Sequence, residues 1–241
     1  MVFLEIKNLV RRFGGLVAIN QFNLEVRKGE IIGLIGPNGA GKTTIFNVIT
    51  GVYPCDGGQI VFKGKNISSI KPHEASMVGI GRTFQVAKPF GGKSVLYNVM
   101  VGSFARTKDS KQAESRALEV LEFMGLLSKK DQLGKSLTIA DRKRLEMAKA
   151  LATEPELLLL DEVMAGLNPK ESEEAISLVK EVAARGVTIL IIEHVMKVIM
   201  SLSHRIAVLH HGEKIAEGSP LQVSQDEKVI KAYLGEEYVL S

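Results

Sequence analysis

The chain has 241 residues, of which 24% are charged and 45% hydrophobic, with 31 Lys and Arg against 27 Asp and Glu for a net charge of +4. That balance excludes a disordered or fibrous chain, and because the basic residues are scattered among acids no nucleic-acid partner is expected. Cys55 is the only cysteine, so neither an intramolecular disulfide nor a thiolate metal cluster is available, and it reads as filler in a loop.

The opening "MVFLEIKNL" carries Glu5 and lacks a basic n-region followed by an apolar stretch, so no secretory leader is expected. "FLEIKNLVRRF" and "FNLEVRKG" alternate as strands of an antiparallel sheet. "EIIGLIG" is a β-rich run that stops at Gly36 and feeds the helical pattern "KTTIFNVITG". "GGQIVFKGKNI" returns to strand, a short helix follows Pro72, and "GRTFQ" is extended again. The character then changes to helical patterns in "SVLYNVMVGSFA" and "SKQAESRALEVLEFMGLL", which predicts a helical subdomain of about 86–153 inserted in a single unit spanning 1–241. Strands resume in "ELLLLD", "VTILIIE" and "HRIAVLH", the first two separated by a helix from Pro169 to about Arg185. Their apolar runs are far too short to cross a bilayer and suit buried parallel strands. Strand alternating with helix predicts an α/β fold.

The loop "GPNGAGKTT" comprises Gly36, Pro37, Asn38, Gly39, Ala40, Gly41, Lys42, Thr43 and Thr44 and matches G-x-x-x-x-G-K-[ST], with a strand before it and a helix after. Glycines let backbone N–H groups wrap a phosphate chain, and the helix N-terminus adds its positive end. Lys42 would neutralise the β- and γ-phosphates and the Thr43 hydroxyl would ligate Mg²⁺. "LLLLDE" places Asp161 where the strand leaves the sheet, to hold the Mg²⁺ hydration shell, and Glu162 next to it, to orient or deprotonate a water. His194, after another apolar strand, is either structural or a hydrogen-bonding partner of the γ-phosphate or its attacking water. Gln85, ending "GRTFQ", is a neutral group suited to Mg²⁺ or water.

One stretch, "SLTIADRKRLEMAKAL" at 136–151, reads as an amphipathic helix with Leu145, Ala148 and Leu151 at helical spacing and a basic outer face. Thr138 and Asp141 fit the [ST]-x-x-[DE] capping box. The alternative is that this helix start is offered to a phosphate on another subunit.

Taken together, "GPNGAGKTT", Gln85, "LLLLDE" and His194 resemble, in order and spacing, the ATP-binding subunits of ABC transporters, and the resemblance runs from end to end of the chain. More narrowly, "GIGRTFQ", "AGLNP", "IIEHVMK" and the tail "VIKAYLGEEY" are similar to the ATPase of a branched-chain amino acid importer. The resemblance implies a P-loop NTPase (RecA-like) core with an antiparallel β subdomain and an inserted helical subdomain. It implies ATP and Mg²⁺ as cofactors and location on the cytoplasmic face of the membrane. The implied partners are a second ATPase subunit (a non-identical sister or another copy), a transmembrane permease and, indirectly, an external solute-binding protein. Phe13 stands where the family stacks an aromatic on adenine, a core position being the alternative. The family's L-S-G-G-Q signature reads Leu137, Thr138, Ile139, Ala140, Asp141, so that Thr138 and the Ala140 N–H would meet the partner's γ-phosphate. Asn168 of "AGLNP" stands where many relatives have Asp and is equally an N-cap with Pro169 at N1. A lipopolysaccharide exporter ATPase shares the "YLGE" ending and is the nearest rival. A soluble ABC ATPase of nucleic-acid metabolism is disfavoured by the single short cassette, and a non-hydrolysing binder by intact Glu162 and His194.

Overall fold

In the computed structural model, which describes residues 2–85 and 88–237, the two amino-terminal alternating segments are strands β1 (Val2–Phe13) and β2 (Leu16–Arg27). They pair antiparallel, with Leu4, Ile6 and Leu9 opposite Val26, Leu24 and Phe22, all buried. Strand β3 (Ile31–Ile35) is buried throughout, and after a six-residue loop helix α1 (Lys42–Ile49) buries Ile45, Phe46, Val48 and Ile49. Strands β4 (Gly57–Phe62) and β5 (Lys65–Asn66) complete an antiparallel sheet of order β2-β1-β4-β5. Burial pushes the Cys55 thiol pKa up, and its Sγ lies 2.9 Å from the Gly57 carbonyl in the loop before β4.

The chain divides into two compact units, one of residues 1–72 with 188–241 and one of residues 73–187. The second unit opens with α2 (Pro72–Val78) and contains β6 (Ile80–Arg82), α3 (Val95–Ser103), α4 (Ser110–Phe123), α5 (Ile139–Leu151), β7 (Leu157–Asp161) and α6 (Pro169–Ala184). Strands β6 and β7 pair in parallel, from Ile80 opposite Leu157 to Arg82 opposite Leu159. Each long helix starts at a polar cap: Ser94 accepts from the Tyr97 N–H, Asp109 from those of Lys111 and Gln112, and Asn168 from that of Glu171. Asn168 and Glu171 form a complete capping box with Pro169 at N1, the plain helix start that the sequence allowed. The helical segment expected at about 86–153 lies within this unit, its first two residues, Val86 and Ala87, being outside the described ones. Arg106, just past α3, ties this region down by donating to the carbonyls of Thr153, Met77 and Ser76 at 2.7, 3.0 and 3.1 Å.

The chain returns to the first unit with β8 (Thr188–Ile192), α7 (Met196–Leu202), β9 (Arg205–His210), β10 (Glu213–Gly218), α8 (Pro220–Ser224) and α9 (Glu227–Glu237). Strand β3 runs parallel to β8 on one side and β9 on the other, with Leu34 opposite both Ile192 and Ala207. Strand β10 adds an antiparallel edge to β9. Strand β10, α8 and α9 are not announced by any run of apolar residues in the sequence.

Helices α3 and α5 approach so closely at Gly102 that a Cβ there would lie 2.4 Å from the Lys149 carbonyl oxygen and 3.0 Å from Ala152 Cβ. In a helix Ala is favoured over Gly by about 1 kcal/mol, but overpacking against backbone costs about 1–3 kcal/mol. The clash wins. Gly102→Ala is expected to lower stability by about 1–2 kcal/mol, read as a lower urea midpoint at unchanged slope; equal or higher stability would show that the helices part freely.

Candidate functional site

In the first unit, the loop between β3 and α1 is closed by contacts that only glycine tolerates. Gly36 has φ +149°, and a Cβ there would sit 2.0 Å from the Leu209 carbonyl oxygen of β9. Gly41 has φ +107°, and its Cβ would meet Ile19 Cδ1 at 2.6 Å and the Ala18 oxygen at 2.7 Å. Gly39 also has positive φ but faces open space, so the loop is pressed against strands on one side and open on the other. Lys42 is 6% exposed, and its ammonium donates to the Gly36 and Pro37 carbonyls at 2.6 and 2.8 Å. Helix α1 starts at Gly41 with no side-chain cap, so the positive end of the helix carries no acidic or hydroxyl cap of its own. Thr43 and Thr44 occupy that turn, half-buried. Residues 36–44 offer N–H groups, an ammonium and two hydroxyls with no carboxylate, which fits a polyanion such as a phosphate chain.

Two further residues of this unit complete the picture. The register that sets Leu34 beside Ile192 makes Gly36 and His194 leave neighbouring parallel strands two residues beyond a paired position, at the same end. His194 is exposed there. Phe13 ends β1 and is 38% exposed, which decides against a core position. Its ring meets Tyr53 edge-on at 5.1 Å, and the Arg11 guanidinium sits 4.5 Å from its centroid, itself held by Asp56 at 3.0 Å. This is a braced aromatic surface suited to stacking on a flat ring.

In the second unit, the end of β7 gathers acids. Asp161 is fully buried; its carboxylate takes a bond from Arg82 at 3.0 Å, and its N–H donates to the Thr83 hydroxyl at 3.0 Å. Glu162 is the next residue and adopts φ +50°, the left-handed region rarely used by residues with a side chain. Its carboxylate accepts from the Gln85 amide at 2.8 Å. The Lys143 ammonium, from α5, donates to the Glu162 carbonyl at 2.8 Å and to the Gln85 carbonyl at 3.1 Å. The structure therefore brings Gln85, Asp161 and Glu162 together, with Arg82 and Lys143 added. The signal for Arg82 was a lone charge in the apolar run "VGIGRTF", which needs a buried partner.

Hard oxygen donors of the kind Mg²⁺ takes occur in each unit, the Thr43 hydroxyl in the first and the Asp161 carboxylate and Gln85 amide oxygen in the second. Among the described residues no group of three or more His, Cys, Asp or Glu is placed to hold an ion.

The start of α5 corrects two expectations. Thr138 is the N-cap, accepting from the Asp141 N–H at 3.2 Å, but the return half of a capping box is absent. Asp is one methylene shorter than Glu, and its carboxylate is instead bound by the Thr138 hydroxyl at 2.9 Å and the Lys129 ammonium at 2.5 Å. Nor is the outer face simply basic. Arg142 donates to the Lys135 carbonyl, Arg144 pairs with Glu174 of α6 and Lys143 turns to Glu162, all three being half-buried. Thr138 and Ile139 are exposed and Ala140 is half-buried, so with the Asp141 N–H capped, those of Ile139 and Ala140 have no acceptor within the helix.

The chain matches the ABC transporter family over residues 19–165 and the branched-chain amino acid ATP-binding cassette transporter family over residues 213–239. It is 41% identical to the high-affinity branched-chain amino acid transport ATP-binding protein LivG of Escherichia coli (strain K12), covering 97% of this chain and 98% of that one. It is 36% identical to the lipopolysaccharide export system ATP-binding protein LptB of the same organism, over 100% of both. The solved structure of an ABC transporter cassette in its ADP conformation superposes with a TM-score of 0.89 at 32% identity, over 98% of this chain and 99% of the other.

Burial of Asp141 alone would raise its pKa, but the hydrogen bonds from Lys129 and Thr138 and the charges of Lys129 and Arg144 outweigh it and hold the carboxyl below the usual carboxylate range. A depressed folded pKa contributes stability that is present above the ordinary range and lost as pH falls through the folded value. Asp141→Asn is accordingly expected to cost about 1–2 kcal/mol near neutral pH and progressively less in acid. Denaturant melts of both proteins from pH 7 to pH 3 check this, and a difference that does not shrink with acidity contradicts the assignment.

Proposed function

Because this chain belongs to the ABC transporter ATP-binding family, we propose that it binds MgATP, closes against a second such subunit and hydrolyses ATP to drive a separate permease that imports branched-chain or related amino acids. The observation that carries the nucleotide site is the Gly36–Thr44 loop, folded around a buried Lys42 and free of acidic side chains. Support for the solute class is the carboxy-terminal match over residues 213–239 and the higher identity to the branched-chain transport protein than to the lipopolysaccharide export one.

The residues divide the work as follows. Loop N–H groups and Lys42 bind the phosphate chain, with Lys42 giving up two carbonyl partners for charge-assisted bonds to phosphate. Phe13, braced by Arg11 and Tyr53, stacks on adenine. Thr43, Asp161 and Gln85 would hold a Mg²⁺ ion, which would supply neutralisation of charge on the phosphates. Glu162 takes the proton of the attacking water, so the Gln85 amide that holds its carboxylate at 2.8 Å must yield to that water. His194 hydrogen-bonds the γ-phosphate or the water. Thr138 and the Ala140 N–H contact the γ-phosphate of the partner subunit, where the helix N-terminus favours anions. Helices α3, α4 and α5 make up a helical subdomain of about 86–153 within a single cassette of 1–241. No helix among the described residues is long and apolar enough to cross a membrane, so transport needs a membrane-spanning partner. The chain then works at the cytoplasmic face, with an external solute-binding protein delivering the amino acid and a non-identical sister subunit completing the ATPase pair.

Two substitutions separate binding from chemistry. Lys42→Ala is expected to weaken MgATP binding by about 10² or more, the loss of a buried charge-assisted contact, with the unfolding midpoint unchanged; calorimetry showing wild-type affinity would refute the site. Glu162→Gln is expected to bind ATP normally while turnover falls roughly 10²-fold or more, the range for a lost general base. Uptake of labelled leucine by cells that carry the Glu162→Gln chain in place of the wild type tests the solute: undiminished uptake counts against the proposed cargo.

A further inference from the structure

Three cations stand in a row near the start of α5, and successive helical residues point about 100° apart, so they cannot serve one surface. Arg142 turns back to Lys135 and Arg144 pairs with Glu174. Lys143 is the one directed at the acids. Its two acceptors, the carbonyls of Glu162 and Gln85, are backbone groups on the two segments that carry the amide and the carboxylate of the 2.8 Å Gln85–Glu162 bond.

The Glu162 backbone needs such a hold. A non-glycine residue at φ +50° persists only where its surroundings over-determine it. Its carbonyl accepts from Lys143 at 2.8 Å and, at the longer distance of 3.3 Å, from the Ala165 N–H. The side chain leaves from the Cα of the same residue, so relaxation of this turn swings the carboxylate. A general base displaced by about 1 Å loses much of its effect.

We infer that Lys143 is a positioning residue that fixes the backbone of Glu162 and Gln85, so that the carboxylate is aimed at its water only while α5 holds its place. The inference rests on the ATPase reading above and deepens it. Thr138 and Ala140 lie at the start of the same helix, within two turns of Lys143. On that reading, the helix that meets the partner's γ-phosphate also carries the ammonium that aims this chain's own general base. Contact at one nucleotide thereby governs hydrolysis at the other.

The test uses the purified full-length chain with MgATP and the variants Lys143→Met, which keeps the unbranched stem without donors, and Lys143→Arg, which restores two donors. For Lys143→Met, kcat is expected to fall about tenfold or more. KM and calorimetric ATP affinity are expected to stay within about twofold, and the unfolding midpoint of the nucleotide-free protein within about 2 °C. Lys143→Arg should recover most of the rate. Three results overturn the inference alone, given an active wild type: full turnover by Lys143→Met, a fall in kcat matched by equal losses of affinity and stability, or an arginine variant as impaired as the methionine one. A wild-type chain inert toward ATP overturns the ATPase reading and the inference together.

Discussion

A strand whose every residue is buried admits a charged side chain only where it leaves the sheet, and this constraint places the chemistry of the molecule. In β7 four buried leucines precede Asp161. Burying four such side chains favours folding by roughly 6–12 kcal/mol gross, an upper estimate, while a desolvated carboxylate costs several kcal/mol unless it is paired. Asp161 is tolerable at zero exposure because Arg82 meets it at 3.0 Å. Strand β8 repeats the arrangement with five buried residues before Glu193 and His194, and β3 with five before Gly36. The functional positions are thus the first at which each strand can afford polarity.

A second regularity follows from charge. Four charged groups of the site are each engaged within the protein: Lys42 by carbonyls of its own loop, Asp161 by Arg82, Glu162 by Gln85 and Asp141 by Lys129. None is left as an uncompensated buried charge, which would cost more than any of these bonds contributes. The arrangement also sets the terms of ligand binding. For the Lys42 ammonium a polyanion offers a charge-assisted bond better than the two carbonyls exchanged, whereas the carboxylates can exchange their partners only for water or a cation.

What the sequence revealed and what it withheld divide along the range of the interactions. The Gly36–Thr44 loop and the "LLLLDE" strand end were legible because their chemistry is local: a few consecutive residues carry both the fold signal and the ligand chemistry. Asn168 with Pro169 and Glu171 was legible for the same reason. Phe13 was not decidable, since its surroundings depend on Tyr53, which reaches it from the distant segment between α1 and β4. Arg82 meets Asp161 across 79 positions and Lys143 meets Gln85 across 58, distances over which no spacing rule operates. The supposed basic face of α5 failed because periodicity reports which way a residue points and not what stands there. The short β10 and the closing helices α8 and α9 have apolar positions too few to declare a period.

The unusual start of α5 can be weighed on the same physical terms. Ile139 and Ala140 replace two glycines of the family signature, and Asp141 brings a carboxylate to a helix end that, on the proposed function, receives phosphate. A free carboxylate there would oppose the ligand by several kcal/mol at close range in a partly desolvated site. It is not free: its Oδ2 is shared between Lys129 and Thr138, and the residue is 7% exposed, turned inward from the helix end. The negative charge is largely spent inside the protein before any ligand arrives. The same arrangement leaves the Ile139 and Ala140 N–H groups without helical acceptors, so the positive end of the helix is still presented outward. What the two substitutions change is therefore shape more than charge. Ile139, 62% exposed, puts a branched apolar side chain beside the anion position where glycine would leave backbone bare.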